Sequence, residues 1–439
     1  MHNVLEDLNF ACQNLSDDVK FKGVINRNVA LAFKSRVCLY EGTFRKYHSK
    51  NPSTNTAWTN QYETANKFLE ECVSASEALM GGQFSLHPDY YDFFHMTNIA
   101  SSPEAIWWSD YDGGELNRMH ELTWVVNSST YDQQVSPTKL MVNHYLNLDG
   151  TPITHEGKVS INEEFEGRDL RLLACVHHPG YMYTKTNGEQ LLKQTNTTYT
   201  YNFYQNVKFS IEIEENYSKG KNDNDYPILR YGEVLLNYAE AKAELGQFDQ
   251  TVADRTINLL RDRVGMARMN VNSLTVDPYL IDPETGYSNP ILLKDPNLAQ
   301  ILEIRRERGV ELAQEGDFRW EGLLRWKEGK CVEQDMHGIY FSGPGQYDLD
   351  KNGTIDVWLY GSNEAQPTIN PTDPKFAACA VLKIGTDIFL SQDGHVDPQQ
   401  NSDHTFNEER DYFYPIPIDE RSLNQNLTQN PGWDDGLDF

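Results

Sequence analysis

Between Tyr347 and Gly361 the chain reads YDLDKNGTIDVWLYG, with oxygen-bearing side chains at alternate positions ahead of a single glycine. Asp348, Asp350, Asn352, Gly353, the Thr354 carbonyl and Asp356 match positions 1, 3, 5, 6, 7 and 9 of a helix-loop-helix calcium loop. Position 12, which should supply a bidentate Glu, is Leu359, and Val357, Trp358, Leu359 and Tyr360 read as a short strand instead of an exiting helix. Calcium takes six to eight oxygens, and this loop offers about five. Water or a carboxylate such as Glu364 would have to complete the shell. The expectation is a structural Ca²⁺ held by Asp348, Asp350, Asn352, Thr354 and Asp356; the alternative is an acidic turn between strands. A calcium switch is not expected, because a switch also needs a helix pair to open.

Carboxylates are plentiful, so a glycoside hydrolase with two carboxyls facing each other across a cleft has to be weighed. Glu233, Glu240, Glu303, Glu307, Glu311 and Glu315 fall on helical stretches interleaved with Arg305, Arg306 and Arg308. Ion pairs on packed helix faces account for that pattern better than an acid/base pair. His177 and His178 are adjacent, and on an extended segment they point to opposite faces, which argues against a shared metal. No GxSxG, HExxH, P-loop or Gly-rich dinucleotide motif occurs. An enzyme is the minority reading.

Sugar capture needs different equipment: flat aromatic rings for pyranose faces, and Asn, Asp or Arg for the hydroxyls, on loops held by a rigid scaffold. Between residues 177 and 217 stand Tyr181, Tyr183, Tyr199, Tyr201, Phe203, Tyr204 and Tyr217, with Asn187, Asn196 and Asn202 among them. Tyr181, Tyr183, Tyr199, Tyr201, Tyr204 and Asn202 are the ligand-binding candidates. Packing against a helix is the competing account for any one of them. Trp107, Trp108 and Tyr111 are expected to be structural, and Trp320 and Trp326 to be core.

The chain that must position these residues has 439 residues and a net charge of −27, which disfavours nucleic acid and anionic membrane surfaces as partners. Six cysteines lie far apart with no CxxC, so buried free thiols are expected. No run of 18 apolar residues is present, and the first residues contain no basic stretch or apolar signal core. The pattern is helical from Asn3 to about Gly81, with a break at Pro52. From 85 to 225 it becomes irregular, with one or two strands expected over Thr195 to Glu215. Two helices broken at Gly246 follow Pro227, with Leu235, Tyr238, Ala239, Ala241 and Leu245 on the inner face of the first and Val252, Ala253, Ile257 and Leu260 on that of the second. Their glycine turn and small-residue spacing resemble a tetratricopeptide-type hairpin. A further helical stretch runs from Asn297 to Lys330. The organisation read from this is a helical part over 1–84, a loop-rich ligand side over 85–225, helical hairpins over 226–330, and an irregular region with the acidic loop over 331–439.

Five stretches, in order, carry a family resemblance. RYGEVLLNYAEAKAELG (Arg230 to Gly246) and EIRRERGVELAQEGDFRWEGLLRW (Glu303 to Trp326) resemble the two signature helices of the SusD/RagB family. SPTKLMVNHYLNLDGTPI with EGRDLRLLACVHHPG, then IWWSDYDGG, and the tail FYPIPIDE followed by NQNLTQNPGW are similar to further family segments. Leu170 stands where the family usually has Pro.

The resemblance implies a mostly α, SusD-like fold: tetratricopeptide-type helix pairs as scaffold, with an irregular loop-rich region and a few short strands. It implies non-catalytic capture of an oligosaccharide at the outer-membrane surface and delivery to a SusC-like TonB-dependent transporter. Family members have a long upstream stretch that starts with a signal peptide and a lipid-bearing cysteine, so this sequence is expected to be the later part of a lipid-anchored protein. Stacking aromatics in the family come from that stretch and from loops in the 177–217 region. A peptide-binding family member is the nearest alternative.

Overall fold

A computed structural model describes residues 1–17, 23–51, 56–58, 64–128, 136–153, 159–193, 196–370, 372–400 and 404–437. Pro52 and Thr195 lie outside these residues. The architecture is mostly helical with a few short strands. Among the described residues no helix is long and apolar enough to cross a membrane.

Helices His2–Asn14, Arg27–Tyr47 and Ala65–Met80 open the chain. The second begins where the Asn26 side chain accepts the N–H groups of Asn28 and Val29, relieving donors that a helix start leaves unpaired. It packs closely on the third: Ser35 and Ser76 share a hydroxyl hydrogen bond at 2.7 Å, with Cys38 and Cys72 buried beside them.

Strand Tyr226–Arg230 pairs antiparallel with Ala105–Ser109 and leads directly into helix Tyr231–Glu244. The start predicted at Pro227 is thus a strand first, and the helix follows. Thirteen of this helix's fourteen residues are buried, so it is the central rod of the scaffold instead of a half-exposed surface helix. Ala239, Ala241 and Ala243 let neighbours approach it, and Gly246, at φ +70°, turns the chain out of it. The single helix expected after the turn is two, Gln250–Arg255 and Ile257–Arg263, separated at Thr256 where φ is −136° and ψ −92°. Helices Leu298–Glu311 and Phe318–Arg325 complete this body, with Trp326 buried.

The buried charges on these helices are matched. Arg230 donates to Glu311 (2.8 Å), Glu104 (2.7 Å) and Glu315 (2.7 Å); Arg171 donates to Glu311 at 3.0 Å and pairs with Glu307 at 2.7 Å. Glu233 pairs with Arg36, Glu240 with Arg325, and Glu303 with Arg261. Each of the six helical carboxylates considered for acid/base chemistry faces a cation, and all but Glu303 are buried.

A second apolar core joins residues of the irregular regions. Phe203 meets Phe341 at a ring separation of 5.5 Å, and Tyr145, Leu172, Phe209, Val357, Leu359 and Ile388 belong to the same cluster. Strand Val357–Tyr360, foreseen in the sequence, pairs antiparallel with Gly345–Tyr347 and parallel with Ala380–Lys383.

The strands expected over Thr195 to Glu215 are absent among the described residues of that stretch. The asparagines explain why. Asn196, Asn202 and Asn206 each accept the backbone N–H two residues on, at Thr198, Tyr204 and Lys208. Such local turns divert the backbone from a ladder despite its Tyr and Thr content. Phe203 and Phe209 take φ values of +70° and +65°, which also breaks the alternation. The strands near here are Met182–Thr184 and Gln190–Leu192, a hairpin turned at Gly188.

Candidate functional site

A cavity of about 940 Å³ opens between helix Lys139–His144, the turn Ile161–Glu164, the 277–285 loop and two segments near residues 335 and 394. Its wall is polar. Thr138 caps the first helix by accepting the Met141 N–H, and Ser160 with Glu163 forms a capping box on the turn, so both elements present fixed ends to the cavity. Arg168 ties the floor together by donating to the carbonyls of Glu164 (3.0 Å), Val142 (2.7 Å) and Tyr145 (2.8 Å). Glu164 is buried and accepts from Lys139 and, at 2.5 Å, from the Tyr204 hydroxyl. Across the space, Asn143 donates to the Tyr279 hydroxyl at 3.1 Å, and Asp277 pairs with Arg306. Side-chain amides, hydroxyls and carboxylates converging on a roomy cleft suit a ligand rich in hydroxyl groups.

The six ligand-binding candidates separate into two groups. Tyr201 is exposed (59%), and Tyr183 and Tyr199 are half-buried. Tyr183 stacks on Tyr217 with ring centroids 6.1 Å apart, so part of its face is already used. Tyr181, Asn202 and Tyr204 are buried, and this corrects their assignment as stacking or hydroxyl-binding groups. The Tyr181 hydroxyl hydrogen-bonds that of Tyr91 at 3.2 Å, and Asn202 donates to the Pro137 carbonyl at 2.7 Å. Tyr204 has no exposed surface and acts on the cavity only through Glu164. Tyr199, Tyr201 and Phe203 do not share a strand face, since no strand forms there.

His177 and His178 do diverge: the ring of His177 contacts the Lys193 carbonyl, and that of His178 the Pro179 carbonyl. Burial, together with nearby Lys193, brings the His177 imidazole down to about 3, so it is neutral at physiological pH.

In the acidic loop, one carboxylate oxygen from each of Asp348, Asp350 and Asp356 lies within 4.8 Å of the others. Gly353 at φ +86° makes the turn, and its N–H with that of Asn352 donates to Asp348. Leu349 N–H donates to Asp356 at 2.7 Å. The Asn352 side-chain oxygen instead accepts from Thr354, through both its N–H and its hydroxyl. Three converging carboxylates fit a hard cation such as calcium, with Asn352 needing to release Thr354 to join them.

The cavity residues escaped the sequence reading. Lys139 lies in a stretch noted only for its family likeness, and Glu164, Tyr279, His337 and His395 come from segments with no common motif. Only packing assembles them.

Residues 103–433 match the sequence model of the SusD family. No curated protein matches the chain. Among solved structures, a SusD-like protein from Bacteroides fragilis aligns over 98% of this chain and 70% of its own, at 19% identity and a TM-score of 0.62. A SusD-like carbohydrate binding protein from Bacteroides fragilis aligns over 97% and 70%, at 18% identity and a TM-score of 0.62. A SusD superfamily protein from Parabacteroides distasonis aligns over 98% and 68%, at 18% identity and a TM-score of 0.50.

Proposed function

This chain belongs to the SusD family, and from that premise we propose that it captures an oligosaccharide without chemically altering it. The observation that carries the reading is the family match over residues 103–433, a span that contains every residue lining the polar cavity. Its hydroxyl-matching wall and the exposed Tyr201 ring are the equipment a glycan requires. The pairing of all six helical carboxylates with cations speaks for binding over hydrolysis.

In this proposal the protein is lipid-anchored at the outer-membrane surface and passes its ligand to a SusC-like TonB-dependent transporter. Calcium in the Asp348–Asp356 loop stiffens the chain ahead of strand Val357–Tyr360.

Screening the chain on a glycan array, followed by chromatography of each bound glycan after long incubation, tests capture. Retention of an oligosaccharide with no new products is the expected result; released products would establish an enzyme, and retention of peptides with no glycan would point to a peptide-binding member. Co-purification of the protein with a β-barrel transporter from outer membranes tests the delivery step.

A further inference from the structure

We infer that His337, Asp393 and His395 form a binding site for a divalent transition-metal ion of the zinc class in the cavity wall. Two segments distant in sequence are fastened there by backbone hydrogen bonds: Gly338 N–H to the Val396 carbonyl (2.8 Å), Val396 N–H to the Ile339 carbonyl (2.9 Å), and Phe341 N–H to the Gly394 carbonyl (2.9 Å). Gly394 is required at this crossing, since it sits at φ +97° and a Cβ on it would lie 2.7 Å from the Phe341 carbonyl oxygen. The fastening sets the imidazoles of His337 and His395 parallel, 6° apart in plane and 5.9 Å between centroids.

His395 is oriented as a metal-binding histidine is. Its Nδ1 contacts Asp393 Oδ2 at 2.9 Å, while the other Asp393 oxygen accepts the Ser391 hydroxyl at 2.5 Å, and Ser391 Oγ accepts the His395 N–H at 3.0 Å. Its Nε2 is buried and has no hydrogen-bond partner among the described residues. His395 Nδ1 and Asp393 Oδ2, 2.9 Å apart, are thus two donors that converge on the site, and a metal ion bound there displaces the proton they share.

One donor atom from each of the three residues lies within 4.8 Å of the other two. Zinc bonds of about 2.0–2.2 Å in a tetrahedron place ligands about 3.4 Å apart, and a modest side-chain rotation closes that difference. Two imidazoles and one carboxylate select zinc-like ions over calcium, which wants a cage of oxygens. Asp335, whose carboxylate is 3.8 Å from His337 Nε2, can serve as a fourth ligand or leave that position open to the cavity. The nearby ammonium of Lys139 is neutralised by Glu164. The site does not rest on glycan capture, because its ligand set is complete without one.

The test is calorimetric titration of the chelator-treated, dialysed chain with zinc chloride. One equivalent of zinc is expected to bind, at least about tenfold more weakly in His337→Ala and in His395→Gln, with binding unchanged in Asp350→Asn. Wild-type protein supplies a second readout that requires no variant: zinc should shield His337 and His395 from diethyl pyrocarbonate, read by peptide mass. Absence of a zinc equivalent, undiminished binding in the His337→Ala/His395→Gln double variant, or equal modification of both histidines with and without zinc would each overturn the site.

Discussion

The guanidinium of Arg305 lies 4.3 Å from the ring centroid of Trp326, with Tyr47 and Tyr287 rings at 4.8 and 5.2 Å closing the enclosure. Arg305 is fully buried and none of its side-chain nitrogens has a hydrogen-bond partner among the described residues. Its charge is balanced instead by Glu328 at 3.7 Å and Glu244 at 3.9 Å. Stacking on three aromatic faces suits a planar, weakly hydrated cation and no other side chain.

Arg305→Ala is therefore expected to destabilise the protein by about 3–5 kcal/mol, since it removes the partner of buried carboxylates. Arg305→Lys retains the charge and loses the planar stacking, so its loss should fall between wild type and Arg305→Ala. Urea unfolding of the three proteins measures this; a lysine variant as stable as wild type would show that only the charge matters.

Stability should fall on acidification in two stages. Burial holds His48 and His177 down, to about 4 and about 3, from the usual 6.5. An unfolded chain takes up those protons first, so the stability they contribute is present above pH 6.5 and is lost as pH falls from there toward the folded values. Burial raises the Glu240 carboxyl, but the adjacent guanidinium groups of Arg325 and Arg308 outweigh it and bring the group down to about 2 from 4.5. Its contribution is present above pH 4.5 and is lost between there and pH 2. Unfolding midpoints across this range in His48→Gln/His177→Gln should show a flattened slope from pH 6.5 down to about 3, with the Glu240 loss below pH 4.5 retained; an unaltered slope would sink the assignment.

Tyr201 and Tyr204 should respond in opposite ways. Tyr201→Ala is expected to leave stability within about 0.5 kcal/mol and to weaken a captured oligosaccharide by about tenfold, the loss of one stacking face. Tyr204→Phe removes a hydroxyl donor from the buried Glu164 carboxylate and should cost about 1.5–3 kcal/mol of stability. Paired thermal melts and glycan titrations separate the two roles.

Calcium at about ten times its dissociation constant should raise stability by about 1.4 kcal/mol, and Asp350→Asn should abolish that gain. Melting curves with calcium and with a chelator read the difference. Coincident curves for the wild-type protein would return the loop to an acidic turn.

The sequence by itself determined the family, the mostly helical character, the helix that ends at Gly246 and the short strand after the acidic loop. These are written in local periodicity and in long collinear motifs: Leu235, Tyr238 and Ala239 recur at helical spacing, and a pattern of that kind survives without knowledge of neighbours. Tertiary structure decided which polar residues face a ligand. Tyr201 and Tyr204 are three positions apart and of one type, yet asparagine turns and the packing of Phe203 on Phe341 leave one in solvent and the other in the core. Glu311 meets Arg230, and His337 meets His395, only because distant segments pack together. Periodicity reports how a residue relates to its own helix or strand, whereas burial, charge pairing and ligand geometry depend on partners that the chain brings together only when it folds.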